Sequence, residues 1–133
     1  MSHPNHAIVR EIFAAMPSGK LPEHLLADDL TAWTTLRPHL DKKAYLDAIA
    51  MLGKMCSPPI EFTIRSLTAE EDRVAAEVSS EGTLINGESY QNTYFFMLRI
   101  RDGRVCHISE HFNAITVREK LVPLMQQLLT EKQ

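Results

Sequence analysis

The chain is poor in the residues that build several common kinds of site. Only two cysteines occur among 133 residues, Cys56 and Cys106. Two thiols make no disulfide framework and no cysteine-rich metal knuckle, so both read as reduced, small apolar side chains. Five glycines leave no glycine-rich phosphate loop, and no serine sits in a strained nucleophile elbow. These absences disfavour phosphoryl transfer and serine hydrolysis. No apolar run approaches the roughly 20 residues needed to cross a bilayer. The opening MSHPNHAIVREIF lacks a basic segment followed by an apolar one, so no signal peptide is expected and the cytoplasm is the expected location. With 14 basic against 17 acidic side chains, the formal net charge is −3. A nucleic-acid partner is not expected from that balance.

What is present is ordinary globular chain. Hydrophobic residues make up 44%, enough for one core, and the length suits one domain spanning 1–133. Apolar residues at helical spacing predict a helix over 5–16, stopped by Pro17-Ser18-Gly19, then a short helix over 21–26. Residues 30–36 read as extended. Asp41 is placed to cap a helix running to Met55. After Pro58-Pro59 the period changes to two, with Ile60, Phe62 and Ile64 alternating against polar neighbours. A turn over 68–72 leads to a strand from Arg73 to Leu84. Asn86-Gly87 and Asp102-Gly103 read as hairpin turns flanking a long strand, 88–101. A last strand follows to about Asn113. Thr116 to Glu119 resembles a capping box for a final helix, and Pro123 is expected to end or kink its first part.

If both hairpin loops hold two residues, Ile85 pairs with Glu88 and Arg101 with Arg104, and every strand residue falls on one of two faces. One face then carries Val74, Ala76, Val78, Phe95, Met97, Cys106, Ile108 and Phe112, with Ser80, Thr93, Arg99 and Glu110. This face should turn toward the helices. The other carries Tyr90, Tyr94, Phe96, Leu98 and Ile100 among Glu77, Asn92, His107, Ser109, His111 and Asn113. Its aromatic and aliphatic area exceeds what a solvated face needs, and a homodimer through this patch is expected. A bulge in either hairpin would flip part of the assignment.

Glu110 is the outstanding candidate for chemistry. Opposite Phe95 and between Ile108 and Phe112, its carboxyl should have a raised pKa and could exchange protons near neutrality. The competing reading pairs it with Arg99 or leaves it at a rim. Trp33, Tyr45, Phe95, Met97, Ile108 and Arg99 are the expected lining of a substrate site; Trp33 and Tyr45 could equally be plain core. Tyr94, Asn92 and Asn113 could form a polar cluster across the last two strands. His107 and His111 spell HxxxH, but on a strand they lie about 13 Å apart at roughly 3.3 Å per residue. They cannot share an ion, and neither a metal nor a cofactor is expected.

The stretch SYQNTYFFMLRIRDGRVCHISEHFN resembles the nuclear transport factor 2-like superfamily, and within it the SnoaL-like branch with its polyketide cyclases, ketosteroid isomerase-related proteins and limonene epoxide hydrolase. The matching residues are Tyr90, Asn92, Tyr94, Asp102, Gly103, Arg104, Val105, Glu110, His111 and Asn113; LLADDLTAW is similar to the family's early segment. The resemblance implies an α+β fold: a cone-shaped, curved, mostly antiparallel sheet wrapped around helices and enclosing a pocket. It also implies a carboxylate at the position of Glu110. The chain departs from the family at Asn113, where aspartate is frequent, at His111 for tyrosine, and at Phe95 for histidine. The acid–arginine–acid set of the epoxide hydrolases is not reproduced. The function so implied is acid–base catalysis on a small hydrophobic carbonyl compound, an isomerisation or cyclisation through an enolate. The alternative is a non-catalytic small-molecule-binding or dimerisation module.

Overall fold

The computed structural model describes residues 3–131; the first two and last two residues of the expected 1–133 domain lie outside the described range. The chain runs α1 (Pro4–Ala15), β1 (Leu26–Thr34), β2 (Leu40–Asp41), α2 (Lys42–Met55), β3 (Glu61–Glu70), β4 (Arg73–Thr83), β5 (Ser89–Arg101), β6 (Arg104–Phe112), a one-turn α3 (Ala114–Thr116), a π-helical turn (Val117–Leu121) and α4 (Val122–Glu131). The six strands form one curved sheet in the order β2-β1-β6-β5-β4-β3. Only β1 and β6 run parallel. This is the expected α+β architecture.

The helices lie against one face of the sheet. α1 buries Val9, Ile12 and Phe13, and Phe13 meets Phe96 edge-on at 4.9 Å between ring centres. The Asp41 carboxylate caps α2 by accepting from the Ala44 N–H at 2.8 Å, as its position predicts. α2 buries Tyr45 and Ile49 toward the sheet. Its far end abuts the turn after α1, where Gly19 has φ +80° and a Cβ on Gly53 would stand 2.9 Å from the Gly19 Cα. Only glycine permits that approach, and it sets where α2 lies on the sheet. A second cluster, including Met55, Ile60, Leu84, Tyr90, Leu121 and Leu124, fastens the C-terminal helix.

Several local expectations are corrected. The segment after Pro22 is a single 3-10 turn, Glu23–Leu25, and β1 begins at Leu26 rather than at residue 30. Asn113, not Thr116, caps the C-terminal helix, accepting from the Ile115 and Thr116 N–H groups. Pro123 does not end that helix. Only Val122 separates it from the π turn, a wider winding of the kind that lets a helix pass a residue without an N–H donor.

The largest correction concerns β5. The first hairpin has a three-residue loop, Ile85-Asn86-Gly87: Leu84 donates to Glu88 O at 2.8 Å and Gly87, at φ +90°, donates to Leu84 O at 2.8 Å. Thr83 therefore pairs with Ser89, one residue off a two-residue turn. The second hairpin has the expected turn, with Asp102 and Gly103 both at positive φ, but a bulge follows it. Arg101 pairs with Arg104 and Ile100 with Val105, after which Arg99 pairs with His107. Both slips act on β5 and reverse it. Tyr90, Phe96, Leu98 and Ile100 are buried and Phe95 is 48% exposed. The face expected for a dimer is thus core, while β4 keeps its expected faces and β6 does so from His107 onward; before the bulge Val105 is buried in place of the expected Cys106.

Candidate active site

On the inner face, β6 presents Ile108, Glu110 and Phe112, and β5 presents Tyr94, Phe96 and Leu98 opposite them. The pairing partner of Glu110 is Phe96, not Phe95. Glu110 is fixed twice. Its backbone carbonyl accepts from the Thr35 N–H at 3.2 Å, and the Thr35 hydroxyl accepts from the Phe112 N–H at 3.1 Å. Its side chain is held from α2: the Tyr45 hydroxyl donates to Oε1 at 2.9 Å. Burial pushes the carboxyl from its ordinary value of 4.5 up to about 7, against the opposing pull of the Tyr45 hydrogen bond. Burial first, then the charge of Glu110, drives the Tyr45 phenol well above 10, so it stays a donor.

Around this pair the lining is aromatic and hydroxylic. Tyr94 stacks on Phe96 at 5.5 Å and lies 5.7 Å from Phe62 and 6.4 Å from Phe112 between ring centres. Its hydroxyl shares a hydrogen bond with Ser80 at 2.9 Å. Asn92 donates to the Tyr90 hydroxyl at 2.9 Å and is clamped to the backbone N–H and C=O of Asn113. The polar cluster of Asn92 and Asn113 therefore forms, with Asn92 buried; Tyr94 joins Ser80 instead. Glu110, Tyr94, Phe112 and Phe62 keep part of their surface accessible, whereas Tyr45, Phe96 and Ile108 do not. An open groove of about 360 Å³ runs along Glu61, Arg65, Glu81 and Gln91 and reaches Ser80, Asn92 and Asn113, and another of about 390 Å³ lies beside Asp29 and Arg101; neither includes Glu110.

The expected lining divides in two. Tyr45 and Ile108 stand with Glu110 on the inner face. Phe95, Met97 and Arg99 do not, because the reversed β5 points them outward, and Arg99 lies 3.9 Å from Asp72 rather than near Glu110. Trp33 also faces outward: it alternates with the buried Ala32 and Thr34 and lies 4.7 Å from the His111 ring. His107 shares a hydrogen bond with Thr31 at 2.8 Å on that same outer side. Phe62, Ser80, Thr35 and Phe112 are further residues near Glu110 and Tyr94 that the sequence reading does not bring to the site. A register reading that allowed the loop its third residue would have brought Tyr94 and Phe96 to Glu110.

A profile of the SnoaL-like domain matches residues 9–108. The chain belongs to the SnoaL-like domain family. The matched SnoaL-like segment ends two residues before Glu110. Among solved structures, IdmH, a proposed polyketide cyclase from Streptomyces antibioticus, is similar at 20% identity and TM-score 0.74, covering 90% of this chain and 99% of that one. AclR, a proposed hydroxylase from Streptomyces galilaeus, has 20% identity and TM-score 0.74, covering 88% and 83%. A proposed isomerase from Bacillus subtilis has 22% identity and TM-score 0.72, covering 86% and 89%. At such identities the likeness is one of fold. No match was found among curated proteins.

The buried carboxyl makes stability depend on pH in a fixed direction. Its pKa in the folded chain lies above the ordinary value, so folding is penalised above pH 7 and the penalty fades as pH falls toward 4.5. At roughly 1.4 kcal/mol per pH unit, the full effect is on the order of 3 kcal/mol. Glu110→Gln should therefore be more stable than the native chain at pH 8, with the gap closing by pH 5. Urea denaturation at several pH values checks this; parallel pH profiles for the two proteins would count against a buried, ionisable Glu110.

Proposed function

We propose that this SnoaL-like protein is an acid–base enzyme that moves a proton on a small hydrophobic carbonyl compound, through an enolate, as in isomerisation or cyclisation. One observation carries the reading. Glu110 is an inner-face carboxyl that burial pushes up to about 7; it is oriented by Tyr45 and sits among aromatic rings that keep part of their surface accessible. Half protonated near neutrality, it can take a proton from carbon and return it. Tyr94, Phe62 and Phe112 give an apolar ligand its contacts, and a ring entering there displaces aromatic side chains rather than filling an open groove.

The test is deuterium exchange. Enolisable cyclic ketones incubated in D₂O with the protein should gain deuterium beside the carbonyl, and Glu110→Gln should not support it. Ligands that bind, seen by shifts in the Tyr94 or Phe112 NMR signals, without any exchange would favour the binding-module reading instead.

The partner supported best is a second copy of the chain, through the outer sheet face. That face presents Phe95, Met97 and Trp33 at its centre, with Glu77 and Glu81 toward one end of β4 and Arg73 toward the other, beside Arg99. A two-fold axis running across the strands through the Met97 row would set Glu77 and Glu81 of one copy toward Arg73 and Arg99 of the other, where these arginines also lie near Glu70 and Asp72 of their own chain. Sedimentation equilibrium at micromolar concentration should give twice 15.1 kDa, and Phe95→Asp should give the single-chain mass. A native chain that sediments as a monomer would rule the pairing out.

A further inference from the structure

The two oxygens of the Glu110 carboxyl are not equivalent. Oε1 accepts from the Tyr45 hydroxyl at 2.9 Å, whereas Oε2 has no hydrogen-bond partner among the described residues. Tyr45 itself is 1% exposed, so it cannot exchange that bond for water without a change in packing. It is carried by a helix that is capped at Asp41 and wedged at Gly53 against Gly19. The donor thus arrives from a rigid element, while the backbone of Glu110 is held by Thr35, just past the end of β1. We infer that Tyr45 is a positioning residue: it ties down Oε1 and leaves Oε2 as the one oxygen that exchanges a proton with a ligand.

The chemistry follows from the geometry. A carboxylate oxygen that already accepts a strong hydrogen bond is a weaker base than its partner, and the bond stabilises the ionised form. The proton therefore goes on and off at Oε2, on the side away from α2. The other groups that feel the Glu110 charge are Tyr94 and Tyr90 of β5. From the β1 side it is flanked by two neutral residues, Thr34, its register partner, and Thr35 just past the strand end. Arg99 and His111 stand on the opposite face of the sheet. With no cation facing the carboxyl among the described residues, the Tyr45 bond is the principal influence that favours its ionised form.

This inference rests on the proposed role of Glu110, but its test does not need a substrate. The side-chain carboxyl of Glu110, labelled with ¹³C and assigned by loss of its signal in Glu110→Gln, is titrated by NMR. Tyr45→Phe should move its midpoint up by roughly one to two pH units, the worth of a hydrogen bond to a charged group. A difluorotyrosine placed at position 45 is a stronger donor of nearly the same shape and should move the midpoint down. Opposite displacements identify the hydrogen bond, because a merely structural disturbance has no reason to change sign with donor strength. Unchanged midpoints, or displacements in the same direction for both variants, would overturn the inference. The pH profile of deuterium exchange should follow the NMR midpoint in each variant. If the NMR midpoints move and the exchange profile does not, the Tyr45 tie stands and Glu110 is not the proton-transfer group.

Discussion

Glu110→Gln should lower turnover by roughly 10²–10⁴, the usual contribution of a positioned acid–base group. Glutamine keeps the shape of the side chain and can still accept the Tyr45 hydrogen bond through its amide oxygen. What it loses is the ability to hold and release a proton. Ligand affinity should change far less, because the contacts to Tyr94, Phe62 and Phe112 remain. A variant that folds, binds and fails to turn over would locate the chemistry at this carboxyl. The same variant is expected to gain stability at pH 8, since a neutral amide is less costly to bury than a carboxylate. Loss of activity with gain of stability is the pair of effects expected where a strained charge serves a reaction. Turnover within a few fold of the native chain would remove Glu110 from the mechanism.

Phe96→Ala should cost about 3–5 kcal/mol in folding stability, while Phe95→Ala should cost less than about 1 kcal/mol when measured on the single chain. The two residues are neighbours of identical chemistry, so the contrast isolates the register of β5. Phe96 is 1% exposed and packs edge-on to Phe13 and flat on Tyr94. Truncating it leaves a cavity at the meeting point of α1 and the sheet. Phe95 points to the other side. Urea denaturation of both variants, with equal slopes, decides the matter. Equal losses, or a larger loss for Phe95, would mean that β5 is turned the other way.

That strand is also where the sequence was hardest to read. Element order, the long C-terminal hairpins and the Asp41 cap follow from local chemistry: periodicity, Asn-Gly and Asp-Gly turns, and a short acidic side chain ahead of an apolar stripe. Register is different, because a single extra loop residue reverses every side chain beyond it. Asn86-Gly87 fits a two-residue turn and equally a three-residue loop with Gly87 at positive φ, and only packing chooses between them. Here the hydrophobic content of the alternatives gives the reason. Tyr90, Phe96, Leu98 and Ile100 together bury more apolar area than Phe95 and Met97 could.

The second slip, at the bulge near Cys106, restores the parity lost at the first. β6 consequently keeps the orientation relative to β4 that an unbulged count gives it. Glu110 and Ile108 were legible on the inner face for that reason, although the partner assigned to Glu110 was wrong by one residue. Tyr45 was legible from the stripe on α2, but its bond to Glu110 was not, since nothing in a helical period reports how the helix lies across the sheet. Trp33 shows the opposite failure. A lone tryptophan in an alternating strand could face either way, and its tilted ring contact with His111 is one between strands distant in sequence.

The titration of the Glu110 carboxyl in the native chain tests the central claim most directly. A ¹³C signal that titrates with a midpoint near 7 is expected for a buried acid held only by Tyr45. A midpoint close to the ordinary 4.5 would mean a solvated or ion-paired carboxylate, and would contradict an acid–base role for Glu110.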